Sequence, residues 1–169
     1  MNRHNEDNYF DVIDFYLSLY NGQAVRFFVV FSRYEYALKA SGYIAGDESH
    51  PKADWDKFAK EISESFDKNK SPELCEAIDY LLKAPPKKQL KEQRKLVFKD
   101  SPPDQQYKSE LEKAILLIRR IRNNLVHGSK FDLDNSDQIE RNLKLLDCGW
   151  KILFECLEHN VDVKDNFQK

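Results

Sequence analysis

The chain is poor in glycine and proline, with five and six in 169 residues, and most of these sit where apolar segments end. No glycine-rich loop that could cradle a phosphate is encoded, which excludes nucleotide hydrolysis of the P-loop type. No paired-carboxylate motif and no internal repeat stand out. Cysteine is scarce as well: Cys75, Cys148 and Cys156 form no CxxC pair. An odd number at wide spacing excludes a disulfide framework and a zinc site. Cys148 and Cys156 lie two helical turns apart, as small apolar fillers of one buried face would in a reducing compartment. The longest apolar run, Phe27 to Phe31, is far too short to span a bilayer. The N-terminal apolar stretch is broken by Asp11 and Asp14, unlike a signal peptide. A cytoplasmic protein with no membrane partner is expected. A formal net charge of −2 gives no global basic field, so any affinity for nucleic acid must come from a local patch.

What is present is an even mixture of 41% apolar and 33% charged residues, the balance of a well-solvated globular protein. The length suits one domain, residues 1–169. Apolar residues recur at spacings of three and four almost throughout, which predicts an all-α chain. Helices are expected over Asp7–Tyr20, Ala24–Ala40, Asp54–Phe66, a short stretch opened by Ser71-Pro72, Tyr107–Val126 and about Asn135–Glu158. The first half of the Ala24–Ala40 helix is apolar on nearly every face, which predicts a place in the centre of a bundle. Residues 160–169 read as a frayed tail.

Residues 87–104 differ in character. Lys87, Lys88, Lys91, Arg94 and Lys95 crowd a stretch bracketed by Pro85-Pro86 and Pro102-Pro103. It reads as an extended loop or small hairpin laid over the bundle. Its cations form either a solvated surface or a patch for a phosphate backbone.

The richest segment runs from Arg119 to Gly128. Here an apolar helix ends in three arginines, two asparagines and a histidine. Arginine near a helix C-terminus and a glycine cap are ordinary, so capping alone is one reading. Geometry favours another. Arg122 shares the stripe of Leu111, Ile115, Ile118 and Leu125, at the edge of the apolar face, where a solvated charge is not normally placed. Asn123 lies one turn before His127 and could fix its ring. Glu35 sits on the stripe of Phe28, Phe31 and Leu38. It reads as a structural ion pair with Arg33 or Arg122, or as the group that positions Arg122. His4, His50 and His159 have no ligand spacing.

Arg122, four intervening residues and His127 resemble the R-x(4–6)-H signature of HEPN domains, including the asparagine directly after the arginine. Phe31-Ser32-Arg33-Tyr34-Glu35-Tyr36-Ala37-Leu38-Lys39 and Asp54-Trp55-Asp56-Lys57-Phe58-Ala59 resemble the N-terminal half of stand-alone bacterial HEPN-like proteins. The resemblance implies a HEPN-like bundle of five to six helices, with 87–104 as an insertion. It implies a metal-independent endoribonuclease without cofactor, with Arg122 and His127 catalytic and Asn123, Glu35 and Arg119 in support. RNA would be the substrate. A homodimer would share one composite site, and an antitoxin or defence-system protein would be a further partner. Toxins regulated by nucleotide transfer typically carry a tyrosine two residues after the histidine; Ser129 stands there, which puts that regulation in doubt. A non-catalytic HEPN module binding nucleotide, RNA or a protein, and a helical adaptor, are the alternatives.

Overall fold

The computed structural model describes residues 22–103, 105–126 and 136–169, together with Asp14 and Ser18. The expected helix over Asp7–Tyr20, His127, Ser129 and most of the loop beyond them lie outside the described residues. Within these bounds the chain is mostly helical, with two small antiparallel hairpins. The order is α1 (Gln23–Ala40), β1 (Ile44–Ala45), β2 (Lys52–Ala53), α2 (Trp55–Ile62), a 3-10 turn (Lys68–Lys70), α3 (Pro72–Lys83), β3 (Lys88–Glu92), β4 (Lys95–Lys99), α4 (Glu110–Val126), α5 (Ser136–Leu157) and α6 (Val161–Gln168).

Local chemistry sets the boundaries. α1 stops at Gly42 (φ 84°), where Gly42 N–H donates to the Lys39 carbonyl and Tyr43 N–H to Leu38, satisfying the terminal acceptors. Asp54 caps α2 by accepting from Lys57 N–H at 3.0 Å. The expected helix over Asp54–Phe66 ends early, at Ile62. The Ser63 and Ser65 hydroxyls turn back onto the Ala59 and Ile62 carbonyls there, offering the backbone partners that compete with helix. Ser71 caps α3, with Pro72 in its first turn. α4 opens on a capping box. Ser109 Oγ accepts from Glu112 N–H at 3.0 Å, and Glu112 accepts from Ser109 N–H at 2.7 Å and Lys108 N–H at 2.9 Å. Burial pushes the Glu112 carboxyl up, but these donors outweigh it and hold its pKa below the ordinary carboxylate value.

α1 packs on α6, α3 on α5 and on α4, and α2 on α4. Phe27, Phe31, Tyr34, Trp55 and Phe58 form an aromatic spine; Trp55 stacks on Phe31 at 4.9 Å and on Tyr34 at 5.1 Å. Cys148 and Cys156 are both buried, and burial raises both thiol pKa values, that of Cys148 to about 11.

Two expectations need correction. α1 is not sheathed on every face: Val25 and Phe28 are each 47% exposed and Val29 59% exposed, while Phe27, Phe31 and Tyr34 face the core. An apolar composition all round does not decide what covers each face. Residues 161–168 are not frayed. Asn160 caps α6 through Val163 N–H at 3.0 Å, Val163 is buried, and Phe167 packs edge-on against Tyr34. Arg33 then donates to the carbonyls of Phe167 and Asn166, both at 2.8 Å, satisfying acceptors that a helix end leaves open.

Residues 88–99 form a hairpin, with Lys88 opposite Lys99 and Glu92 opposite Lys95. Its two-residue turn, Gln93-Arg94, has φ of 46° and 68°, the left-handed pair a tight hairpin needs, without the glycine that adopts it cheaply. The foot of the hairpin is clamped from below. Arg120 donates to the carbonyls of Pro86 (3.2 Å) and Ser101 (2.5 Å), Asn124 to Lys87 (2.9 Å), and Arg141 to Pro85 (2.8 Å).

Candidate active site

α1 presents Phe31, Glu35 and Lys39 at four-residue spacing, hence on one face. α4 presents Arg119, Arg122 and Asn123 by the same rule. The two faces meet beside β2 and the start of α2, which add Lys52 and Trp55. Together they line a cavity of about 480 Å³. Arg122 Nη2 lies 3.3 Å from Glu35 Oε2, and both side chains are about 30% exposed. Its Nη1 donates to Asn123 Oδ1 at 3.0 Å, and the guanidinium rests over the Phe31 ring, 5.4 Å from the centroid. Arg119 is held outward by Asp56 at 2.8 Å.

Among the described residues four cations line this cavity, Lys39, Lys52, Arg119 and Arg122, with Glu35 the carboxylate in the lining and Asp56 paired to Arg119 beside it. Among the described residues neither Lys39 nor Lys52 has a carboxylate within ion-pair distance. The buried indole N–H of Trp55 has no hydrogen-bond partner there either. A guanidinium has five N–H donors, so Arg122 keeps donors beyond those used by Glu35 and Asn123. The cavity can therefore receive an anion, with the fork of Arg122 fixed in orientation before it arrives.

The structure brings together Arg122, Asn123, Glu35 and Arg119. Between the two partners considered for Glu35, Arg122 is the one in contact; Arg33 is committed to α6. His127 lies outside the described residues. Lys87, Lys88, Lys91, Arg94 and Lys95 are exposed on the hairpin, apart from this cavity. They do not share a face: Lys88 and Lys95 alternate to one side with Leu90, Lys91 to the other, and Arg94 occupies the turn. The Lys99–Glu92 ion pair lies on the Lys88 side.

Lys39, Lys52 and Trp55 were given no site role from the sequence, although Lys39 and Trp55 lie within the stretches that carry the resemblance. Lys39 was within reach, four residues after Glu35 on the same helix. Lys52 arrives on a two-residue strand, too short to leave a pattern. Asn124 was also missed; it is 2% exposed, one turn after Arg120 on the face that holds the hairpin foot.

No family model, no curated protein and no solved structure matches this chain. Among the described residues no cluster of His, Cys, Asp or Glu is arranged to hold a metal ion, and no helix is long and apolar enough to cross a membrane.

Proposed function

We propose that the protein is a metal-independent endoribonuclease of the HEPN type, active as a two-fold dimer. The observation that carries this reading is the cation-lined cavity in which Glu35, Asn123 and the Phe31 ring hold Arg122. In the proposed reaction a ribose 2′-hydroxyl attacks the adjacent phosphorus, and the 5′-oxygen leaves. The products carry a 2′,3′-cyclic phosphate and a 5′-hydroxyl. Arg122 supplies fixed positive charge to the phosphorane oxygens. His127, five residues further along, moves the proton, since imidazole titrates near neutral pH. One proton must leave the 2′-hydroxyl and another must reach the 5′-oxygen. Two copies of the motif supply both carriers, which is the reason for the dimer.

The exposed stripe of α1 supports a second copy as its occupant. Phe28 precedes Glu35 by seven residues, two helical turns, so the apolar surface borders the cavity edge. An antitoxin or anti-phage defence role, with a corresponding partner protein, belongs to this proposal. The hold on Arg122 favours a second reading, a non-catalytic module that binds RNA or nucleotide, because Glu35 and Asn123 each occupy one of its terminal nitrogens in the free protein.

The test is cleavage of total RNA by wild type, Arg122→Ala and His127→Ala, with and without excess EDTA. Cleavage by wild type alone, unaffected by EDTA, is expected. Equal rates for wild type and His127→Ala would refute the catalytic assignment, and loss on chelation with recovery on added Mg²⁺ would refute the metal-free mechanism.

A further inference from the structure

The hold on Arg122 does not use the whole of its cavity. Lys39 and Lys52 stand in the same lining, and among the described residues neither has a carboxylate within ion-pair distance. The natural partner of Lys39 is Glu35, one turn earlier on α1 and in the order that favours an i,i+4 pair. Glu35 turns to Arg122 instead, at 3.3 Å. Arg119 is already matched by Asp56. Lys52 is held on a closed turn. Ala45 pairs with Lys52 across β1 and β2, and Asp47 Oδ1 accepts from Ser49 N–H at 2.9 Å and from His50 N–H at 2.8 Å. Gly46 has a φ of 92°, and a side chain there would collide with the His50 carbonyl. The Trp55 indole N–H, buried and without a partner, belongs to a lining residue too, and it is a donor that a folded protein normally satisfies.

Among the described residues Glu35 offsets Arg122 and Asp56 offsets Arg119, so the net positive charge of the lining rests with the two lysines. Lys39 lies about 6 Å further along α1 than the residue that holds Arg122. Neighbouring phosphates of one strand repel each other and need separate cations. The volume, about 480 Å³, lies in the range of sites that take ligands larger than one phosphate. We infer that Lys39 and Lys52 form a second phosphate subsite, which takes the phosphate next along the strand from the one at Arg122. The inference rests on the ribonuclease reading and narrows its substrate to an RNA strand with two consecutive phosphates in the cavity. A nucleoside diphosphate also carries two phosphates, and the experiment separates it from a strand.

The full chain is bound to a fluorescein-labelled 2′-O-methyl RNA octamer, which lacks the nucleophile and stays intact; anisotropy reads its displacement by unlabelled competitors. These are 2′-O-methyl ApA, with one phosphate, its phosphorylated forms pApA and ApAp, with two, and ADP. For wild type at least one of the two-phosphate dinucleotides should compete about fivefold better than ApA, the scale of two partly exposed ion pairs. In Lys39→Ala/Lys52→Ala that advantage should disappear. In Lys39→Arg/Lys52→Arg, which keeps the charge, it should remain; its loss there as well would make the lysines structural and overturn the subsite. No octamer binding by wild type, no two-phosphate advantage in wild type, or an advantage that survives in the double alanine variant overturns it too. Should the double alanine variant misfold by circular dichroism, Lys52→Ala alone, exposed on β2, decides by whether the advantage shrinks. ADP competing better than pApA and ApAp, with that preference lost in the double alanine variant, assigns the cavity to a free nucleotide and overturns the strand subsite. Cleavage of unmodified RNA separates the two readings. A two-phosphate advantage carried by the lysines, with no cleavage by wild type, supports the subsite and removes the ribonuclease. Cleavage by wild type with the advantage intact in the double alanine variant does the reverse.

Discussion

Replacing Gly149 by alanine sets two opposing effects against each other. Gly149 lies within α5, and glycine inside a helix is about 1 kcal/mol less favourable than alanine, so backbone propensity alone predicts stabilisation. The structure opposes it. An added Cβ would stand 2.8 Å from Phe27 Cε2 and 3.5 Å from its Cζ. Carbon atoms pack at about 3.5–4.0 Å, so the ring must retreat by roughly 0.7 Å. Phe27 is fully buried, edge-on to Trp150 at 5.8 Å and 6.2 Å from Phe31, which leaves no open side. Overpacking of a filled core costs about 1–3 kcal/mol. The two terms leave Gly149→Ala destabilised by about 1 kcal/mol, a fall in Tm of about 3 °C at this chain length. Thermal unfolding by circular dichroism measures it. Combining the change with Phe27→Leu should recover part of the loss, since the coupling passes through that ring. A rise in Tm for Gly149→Ala, or strictly additive effects in the double variant, would refute the close-packing argument.

Replacing Gln93-Arg94 by Asn-Gly should stabilise the hairpin by about 1 kcal/mol, because both residues then suit a left-handed turn; slower hydrogen exchange across residues 88–99 is the readout. Glu112→Gln should flatten the acid side of the stability–pH curve. The folded carboxyl is held below its unfolded value, so its contribution is complete above the ordinary carboxylate range and lost as pH falls through the lowered value; urea unfolding across acid pH checks this. The hairpin cations lie on two sides, so Lys88→Ala with Lys95→Ala and, separately, Lys91→Ala should affect the salt dependence of RNA binding unequally. Equal effects would count against a strand crossing one side of the hairpin.

Helix ends were legible where side chains announce them. Ser41-Gly42 and Ser71-Pro72 act within a few residues, and the structure ends α1 and starts α3 there. The Ser109-x-x-Glu112 box carries an equally local signal for the start of α4, placed near Tyr107 from periodicity alone. What escaped the sequence is set by distant partners. α6 has few apolar residues of its own and is held by Arg33 and Tyr34 from α1. The exposure of Val25, Phe28 and Val29 depends on which neighbours cover α1, which composition does not record. At the site, Arg122 stood out because a charge broke an apolar stripe, and Glu35 for the same reason. Lys39 and Lys52 broke no pattern, and only the approach of α1, β2 and α4 makes them neighbours.

The fastening of α1 to α6 also has a consequence for the order of folding. The Arg33 bonds join positions 134 and 133 residues apart, so the chain must close a very long loop before they form. The helix that carries Glu35 thus receives its last neighbour late. A fragment ending at Leu157 would keep the whole Arg122–His127 motif while leaving Tyr34 without Phe167 and Arg33 without its carbonyls. Its Arg122 would face a carboxylate on a helix that keeps its contacts to β2, α4 and α5 but lacks those to α6. The cavity lined by Glu35 and Arg122 is in this sense a product of completed folding, and possession of the motif's residues precedes the cavity that surrounds Arg122.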